Sequence, residues 1–209
     1  MAIQQLARKV VTNATANKLH NIELINNMPE MILNKAIRRG AKDIIHVDMN
    51  HCGAALIRKG GIHTIYTDSL AGCDALGVIA KTVEGTPFAM VSHYVPTNTK
   101  GHLEAIEKQL AVYAPYCDKS YKPRAFFNVR GVDVENELKT LPNAFIEKAK
   151  AVLSKIFPQG IESSVTPYPT ANRGAFFSSV NAYQFDPEDL NKMRVTFVGE
   201  VEKNIDLMM

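Results

Sequence analysis

The stretch ALGVIAKTVEGTPFAMVSHYV, residues 75–95, consists of two apolar runs separated by the residues EGTP at 84–87. Both runs are short and contain β-branched and aromatic residues, which is typical of strands. The glycine and proline between them favour a turn that reverses the chain. The stretch therefore predicts a β-hairpin, and a hairpin brings the residues before its first strand close to the end of its second strand.

Two chemically active side chains lie at the ends of this hairpin: Cys73, which follows Gly72, and His93. A cysteine nucleophile needs an ionisable thiol, a base within hydrogen-bond reach and backbone N–H groups aimed at the developing oxyanion. We interpret Cys73 and His93 as a candidate catalytic pair, with Gly72 permitting a turn in which the Cys73 amide faces a bound carbonyl. The same spacing is compatible with a buried cysteine and a structural histidine.

The sequence outside the hairpin alternates unevenly between helix-like and strand-like segments. Apolar residues recur with helical spacing over 101–117 and 143–157, and two further helices are predicted over 3–19 and 29–40. Strand-like runs cover 44–49, 54–58, 61–67, 124–131, 162–169, 174–185 and 193–202. This order predicts an α+β fold, a β-sandwich or a strongly twisted mixed sheet with helices packed outside, rather than a doubly wound parallel sheet.

Length and composition predict one domain over residues 1–209. The chain is 46% hydrophobic and 22% charged, and no linker-like stretch divides it. A net charge of +3, dispersed along the chain, does not favour a nucleic-acid partner. No apolar run reaches the roughly 20 residues of a membrane helix, and no signal peptide is recognisable. We therefore expect no membrane partner, and a soluble protein that is cytoplasmic or delivered into a host cell.

A second cluster of reactive residue types precedes the hairpin. His46, Asp48 and His51, with Cys52 and His63 nearby, are all ligand types for zinc or iron. On a strand His46 and Asp48 would share a face, and His51 and Cys52 would lie in the following turn. Known structural zinc spacings do not fit, so the alternatives are a metal-dependent hydrolase and a histidine-rich sheet edge. The third cysteine, Cys117, follows a helix without a glycine turn and is interpreted as structural.

The segment TPYPTANRGAFFSS, residues 166–179, is rich in proline, glycine and serine, which is typical of a surface loop. Tyr168 and Arg173 would contact a partner protein there if the loop borders a binding site, and a plain connection between strands is the alternative. A non-catalytic protein-interaction domain is a further function class that the composition allows.

The segment TDSLAGC, residues 67–73, followed by SHYVP at 92–96, resembles the core of the glutamine deamidases of the cytotoxic necrotizing factor and Burkholderia lethal factor type. In that superfamily the catalytic cysteine follows a turn of leucine, a small residue and glycine. In the lethal factor this turn begins with a threonine six positions before the cysteine. Thr67, Leu70, Gly72 and Cys73 match these positions, and His93 would be the family's histidine from the following strand.

The resemblance implies hydrolysis of a glutamine side-chain amide in a protein substrate, as in a toxin or effector. Cys73 would attack the carboxamide, His93 would move the protons, and Thr67 would orient the imidazole. Gly72 and Cys73 would form the turn that binds the oxyanion. The chemistry implied needs neither a metal nor an organic cofactor.

Overall fold

The computed structural model describes residues 44–68, 70, 72–134, 137–140, 143–169, 181–197 and 201–206. The helices predicted over 3–19 and 29–40 lie outside these residues. No helix within the described ranges is both long enough and apolar enough to cross a membrane.

The described residues form eleven strands and two α-helices, labelled here in chain order. The strands are β1 (Ile44–His46), β2 (His51–Leu56), β3 (Thr64–Thr67), β4 (Asp74–Lys81), β5 (Pro87–Tyr94), β6 (Arg124–Val134), β7 (Glu137–Thr140), β8 (Glu162–Pro169), β9 (Asn181–Phe185), β10 (Lys192–Phe197) and β11 (Val201–Asp206). The helices are α1 (Thr99–Tyr113) and α2 (Ala144–Ile156), and short 3-10 turns cover Pro96–Asn98 and Ala114–Tyr116.

The strands pair into two mixed sheets. The five-stranded sheet has the order β1-β3-β9-β10-β11, with β1 parallel to β3 and antiparallel pairing elsewhere. The six-stranded sheet has the order β2-β5-β4-β6-β7, and β8 runs parallel to β6. The α+β prediction of stacked mixed sheets with helices outside is therefore confirmed.

The central hairpin of the six-stranded sheet packs on both faces, as expected for strands whose residues are almost all apolar. Successive side chains of a strand point to opposite faces. Phe88 and Met90 of β5 accordingly join a core with the two helices, whereas Ala89 and Val91 face the five-stranded sheet. The described part of the chain thus has three layers: the five-stranded sheet, the six-stranded sheet and the helices.

The two helices match the predicted amphipathic segments. In α1 the residues His102, Ile106 and Leu110 are buried at four-residue intervals, so one face of the helix covers the six-stranded sheet. At the start of α2 the Asn143 side chain accepts a hydrogen bond from the Phe145 amide at 3.0 Å, which satisfies one free N–H of the first turn.

The predicted hairpin is formed by β4 and β5. Its turn is closed by the Thr82 amide, which donates to the Thr86 carbonyl at 2.9 Å, and Gly85 has a positive φ of 77° that favours glycine. The pairing register sets Ala75 directly opposite His93. The hairpin therefore brings the approach to β4 next to the end of β5.

Candidate active site

Cys73 lies in the turn that leads into β4 and is 8% exposed. Its side chain packs in a small cluster with Leu70, Ala75 and Tyr168, and its amide donates to the Leu70 carbonyl at 3.2 Å. Because this amide is bonded within the turn, binding an oxyanion would require it to exchange that partner, and the oxyanion role of Gly72 and Cys73 stays a prediction. A Cβ placed on Gly72 would meet no atom within 4 Å, so the turn does not require glycine for packing.

Tyr168 of the six-stranded sheet contacts the turn that contains Cys73. This residue is buried on β8, and its hydroxyl lies against the carbonyl oxygens of Leu70 and Cys73. The expectation that Tyr168 borders a surface loop is therefore wrong, because the residues of 162–169 pair with β6 in register. Arg173 lies outside the described residues.

The residue after the cysteine, Asp74, is a buried carboxylate with three hydrogen-bond donors. The Tyr94 hydroxyl donates to it at 2.8 Å, the Asn143 side-chain amide at 2.8 Å and the Arg130 backbone amide at 3.0 Å. These bonds compensate for the burial of a charge and fix the start of β4. Burial raises the pKa of the Cys73 thiol, the Asp74 charge raises it further, and Arg130 opposes the shift.

Thr67 fixes the orientation and the tautomer of His93. The Thr67 hydroxyl donates to the Val47 carbonyl oxygen at 2.7 Å. His93 Nδ1 lies 2.7 Å from the hydroxyl oxygen of Thr67, Oγ1. A hydroxyl has one hydrogen to donate, so Thr67 Oγ1 must accept a hydrogen bond from Nδ1–H. The second ring nitrogen, Nε2, is then the one with a free lone pair in the neutral ring.

His93 is 2% exposed, and its Nε2 has no hydrogen-bond partner within the described part of the chain. Burial lowers the pKa of His93 to about 4, and the neighbouring His46 and His51 contribute in the same direction while Asp68 opposes them. The ring is therefore neutral at physiological pH. A neutral imidazole with a free Nε2 is the form that a general base requires.

The sheet register relates His93 to Cys73. Directly paired residues of an antiparallel sheet present their side chains on the same face, and Ala75 pairs with His93. Cys73 packs against Ala75 and precedes it by two residues. Cys73 therefore packs against the residue that pairs with His93, and Thr67 contacts His93 from β3, while the pairing of the thiol with the imidazole stays a prediction.

In the alternative cluster, the His46 imidazole lies between two carboxylates. His46 Nε2 lies 3.3 Å from Asp68 Oδ1, and His46 Nδ1 lies 3.4 Å from Asp48 Oδ1. His51 and Cys52 are the first residues of β2 rather than part of a turn, and His51 Nδ1–H donates to the Met49 carbonyl at 2.9 Å. Across the described ranges, no three His, Cys, Asp or Glu side chains are placed to hold a metal ion. The arrangement gives the metal-dependent hydrolase no support.

The other two thiols lie in the core beside the helices. The Cys117 thiol is buried and donates to the Tyr113 carbonyl at 3.5 Å, which agrees with the structural role predicted for it. Cys52 packs against the helix-side core of the six-stranded sheet. Burial raises the pKa of Cys117 to about 11 and that of Cys52 to about 12.

No protein-family model matches the sequence, and neither does any curated protein. Among solved structures, the C-terminal domain of CNFy from Yersinia pseudotuberculosis is similar with a TM-score of 0.35 and 11% sequence identity. The matched region covers 78% of this chain and 62% of that one, so the chain spans less than two thirds of that domain. A similarity of this size leaves the function to be argued from the site itself.

Proposed function

We propose that the protein is a cysteine-dependent hydrolase of side-chain carboxamides, a protein-glutamine deamidase with Cys73 as nucleophile and His93 as base. The observation that supports it best is the buried His93 imidazole, whose Nδ1 is held by Thr67 and whose Nε2 is unpartnered within the described residues. An unpartnered buried polar atom costs roughly 1–3 kcal/mol of stability. A non-catalytic interaction domain gains nothing from that cost, whereas a general base requires it.

The reaction follows from the protonation states. Burial and Asp74 keep the Cys73 thiol protonated, and burial keeps His93 neutral. His93 Nε2 takes the thiol proton while the sulfur forms a bond to the carboxamide carbon, and the carbonyl electrons move to oxygen. The imidazolium then returns that proton to the nitrogen, and ammonia leaves as the C–N bond breaks. Water activated by Nε2 hydrolyses the thioester to a glutamate carboxylate and regenerates the thiol.

A glutamine in a protein is the substrate proposed, on the basis of the resemblance of residues 67–73 and 92–96 to the deamidases named above. This makes a toxin or effector the proposed biological class. Neither a metal nor an organic cofactor takes part in the steps written here.

The test is incubation of the purified protein with a cell lysate, followed by mass spectrometry for glutamines whose mass has increased by about 1 Da, the change from amide to acid. Cys73→Ser should abolish the signal because a hydroxyl, with a pKa far above that of a thiol, is activated poorly by one histidine. Cys117→Ala should retain it and serves as the matched control. Release of ammonia from free glutamine without deamidation of any protein would contradict the proposed substrate class.

A further inference from the structure

A layer of polar side chains lies between the two sheets beside the candidate nucleophile. We define the polar layer as Thr67, His93, Asn128 and Asn181. Asn128 pairs with Ala75, which pairs with His93, so these three residues form one row across the six-stranded sheet. Asn181 pairs with Thr67 on the five-stranded sheet. Because Thr67 bonds to His93 across the gap, the two rows face each other.

Both asparagines of the polar layer are fully buried and unsatisfied. Asn128 and Asn181 have no exposed surface, and all four of their side-chain amide atoms lack a hydrogen-bond partner within the described residues. Buried polar groups in folded proteins are almost always hydrogen-bonded, so two empty amides in one layer require an explanation. The unpartnered His93 Nε2 belongs to the same layer.

The neighbouring residue between the sheets is Tyr183, whose ring packs against Phe126 with centroids 5.5 Å apart and whose hydroxyl a Cβ on Gly77 would overlap. The Tyr183 hydroxyl also has no partner of standard hydrogen-bond geometry within the described residues. Burial raises the pKa of Tyr183 and hydrogen bonding from the Asn181 side chain lowers it, so Asn181 lies close to this hydroxyl. In the polar layer, Ala75 lies between His93 and Asn128 in the row of paired residues.

The unsatisfied groups match one ligand chemistry. An asparagine side chain offers two N–H donors and one carbonyl acceptor, and a primary carboxamide offers the same set. Two such amides pair with each other, the carbonyl oxygen of each accepting an N–H of the other. With the Cys73 amide bonded to Leu70, side-chain N–H groups are also the available donors for a carbonyl oxygen that becomes negative during attack.

We propose that the polar layer is a subsite for the primary carboxamide of the substrate, in which Asn128 and Asn181 recognise the group that Cys73 attacks. The assignment rests on the function proposed above. The substrate carbonyl accepts an N–H from one asparagine, its NH₂ donates to the carbonyl oxygen of an asparagine, and His93 Nε2 remains available for the thiol proton.

The test uses two alkylating reagents that differ only in their amide. Chloroacetamide carries a primary carboxamide, and N,N-dimethylchloroacetamide has no N–H donor. In each, the Cys73 sulfur displaces chloride, and the rate at Cys73 is read by peptide mass mapping and divided by the rate with a free thiol. The subsite predicts a preference for chloroacetamide of about tenfold, the value of one or two hydrogen bonds. The preference should fall to about one in Asn128→Leu.

The melting temperature is a second readout, and it distinguishes a ligand-binding role of Asn128 from a structural role. Replacing an unsatisfied amide by an apolar side chain of the same size removes a desolvation cost, so Asn128→Leu should raise Tm by about 2–4 °C. The matched control is Asn191→Leu, because Asn191 accepts a hydrogen bond from Lys81 at 2.9 Å. That variant should lower Tm and keep the reagent preference. Should Asn128→Leu fail to fold, Asn181→Leu provides the same measurement from the opposite sheet.

The outcomes distinguish this proposal from the deamidase assignment. Lysate deamidation without any preference between the two reagents would overturn the subsite and leave the deamidase intact. A reagent preference that depends on Asn128, without deamidation of any protein, would support the subsite and overturn the choice of substrate. A Cys73 that reacts with neither reagent in the folded protein would overturn both. Loss of stability in Asn128→Leu with the preference retained would show that Asn128 is structural.

Discussion

Two neighbouring residues of β5, Ser92 and His93, contribute to two similar side-chain pairs on opposite faces of one sheet. On the helix side the Ser92 hydroxyl lies against His102 Nε2, and on the inter-sheet side Thr67 lies against His93 Nδ1. All four side chains are buried. Burial lowers the pKa of both histidines to about 4. By burial and pKa alone the two pairs cannot be told apart.

The two pairs differ in the groups that surround each histidine. His102 lies among the aromatic rings of Tyr94 and Phe145, with centroid distances of 5.0 and 6.2 Å, and Ile106 continues the same helix face into the core. The Nε2 of His93 has no hydrogen-bond partner in the described part of the chain, and His93 pairs with Ala75, two residues after Cys73. A depressed histidine pKa is therefore not by itself a sign of catalysis. The informative feature is the Nε2 of His93, which has no hydrogen-bond partner within the described residues, whereas the Nε2 of His102 contacts Ser92.

The largest expected difference between the pairs concerns reactivity. His93→Gln keeps a side chain that can bond to Thr67 but removes the base, so both deamidation and alkylation of Cys73 should fall by about 100-fold or more. His102→Gln should change either rate by less than about twofold because it acts on the opposite face of the sheet. Rates are measured at Cys73 by peptide mapping, with near-ultraviolet circular dichroism to verify the fold. Equal losses in both variants would remove the distinction between the two pairs.

The next largest effect concerns the hydroxyl that orients each ring. Thr67→Val removes the acceptor for His93 Nδ1–H and with it the preference for the tautomer with a free Nε2, so the Cys73 rate should fall about tenfold. Thr67→Ser should restore most of the rate, since it keeps the hydroxyl. Ser92→Ala should leave the rate unchanged. A rate in Thr67→Ser as low as in Thr67→Val would indicate that the methyl group, and hence packing, is what matters.

The main features of the fold could be predicted from local sequence. The two apolar runs of 75–95 with their intervening turn indicated the hairpin, and the four-residue spacing of apolar residues indicated both described helices. The hairpin and helix predictions succeeded because hydrophobic periodicity and turn chemistry act over a few residues. Within the motif around Thr67, Cys73 and His93, the Thr67–His93 hydrogen bond is present, and the pairing of Cys73 with His93 stays a prediction.

Residues whose role depends on pairing between distant strands could not be predicted in the same way. Tyr168 lies where the strand-like run 162–169 overlaps a proline-containing segment that resembles a loop, and the parallel pairing with β6 explains why it is buried. Asn128 interrupts the apolar run RAFFNVRG. Its neighbour Phe127 faces the helices while Phe126 faces the other sheet, so a polar residue on the Phe126 face was the available signal. Which groups it meets depends on the sheet register.

The smallest expected effect is the one the two pairs share, a dependence of stability on pH. Each histidine has a pKa near 6.5 when unfolded and about 4 when folded. Between these two pKa values the unfolded chain binds more protons than the folded chain. The free energy of unfolding is therefore unaffected by these histidines above pH 6.5 and falls as the pH drops towards 4. At pH 5.5 each histidine should cost about 1 kcal/mol relative to pH 7.5.

Denaturant unfolding at pH 7.5 and 5.5 measures this loss, and glutamine variants divide it between the two sites. His93→Gln and His102→Gln should each remove about half of the pH-dependent change, because glutamine does not titrate. The two variants should therefore be equivalent in this experiment although they differ by about 100-fold in reactivity at Cys73. A pH dependence that disappears with His102→Gln alone would mean that His93 is protonated with little cost in the fold. The polar layer would then be hydrated, and His93 would not be a neutral base.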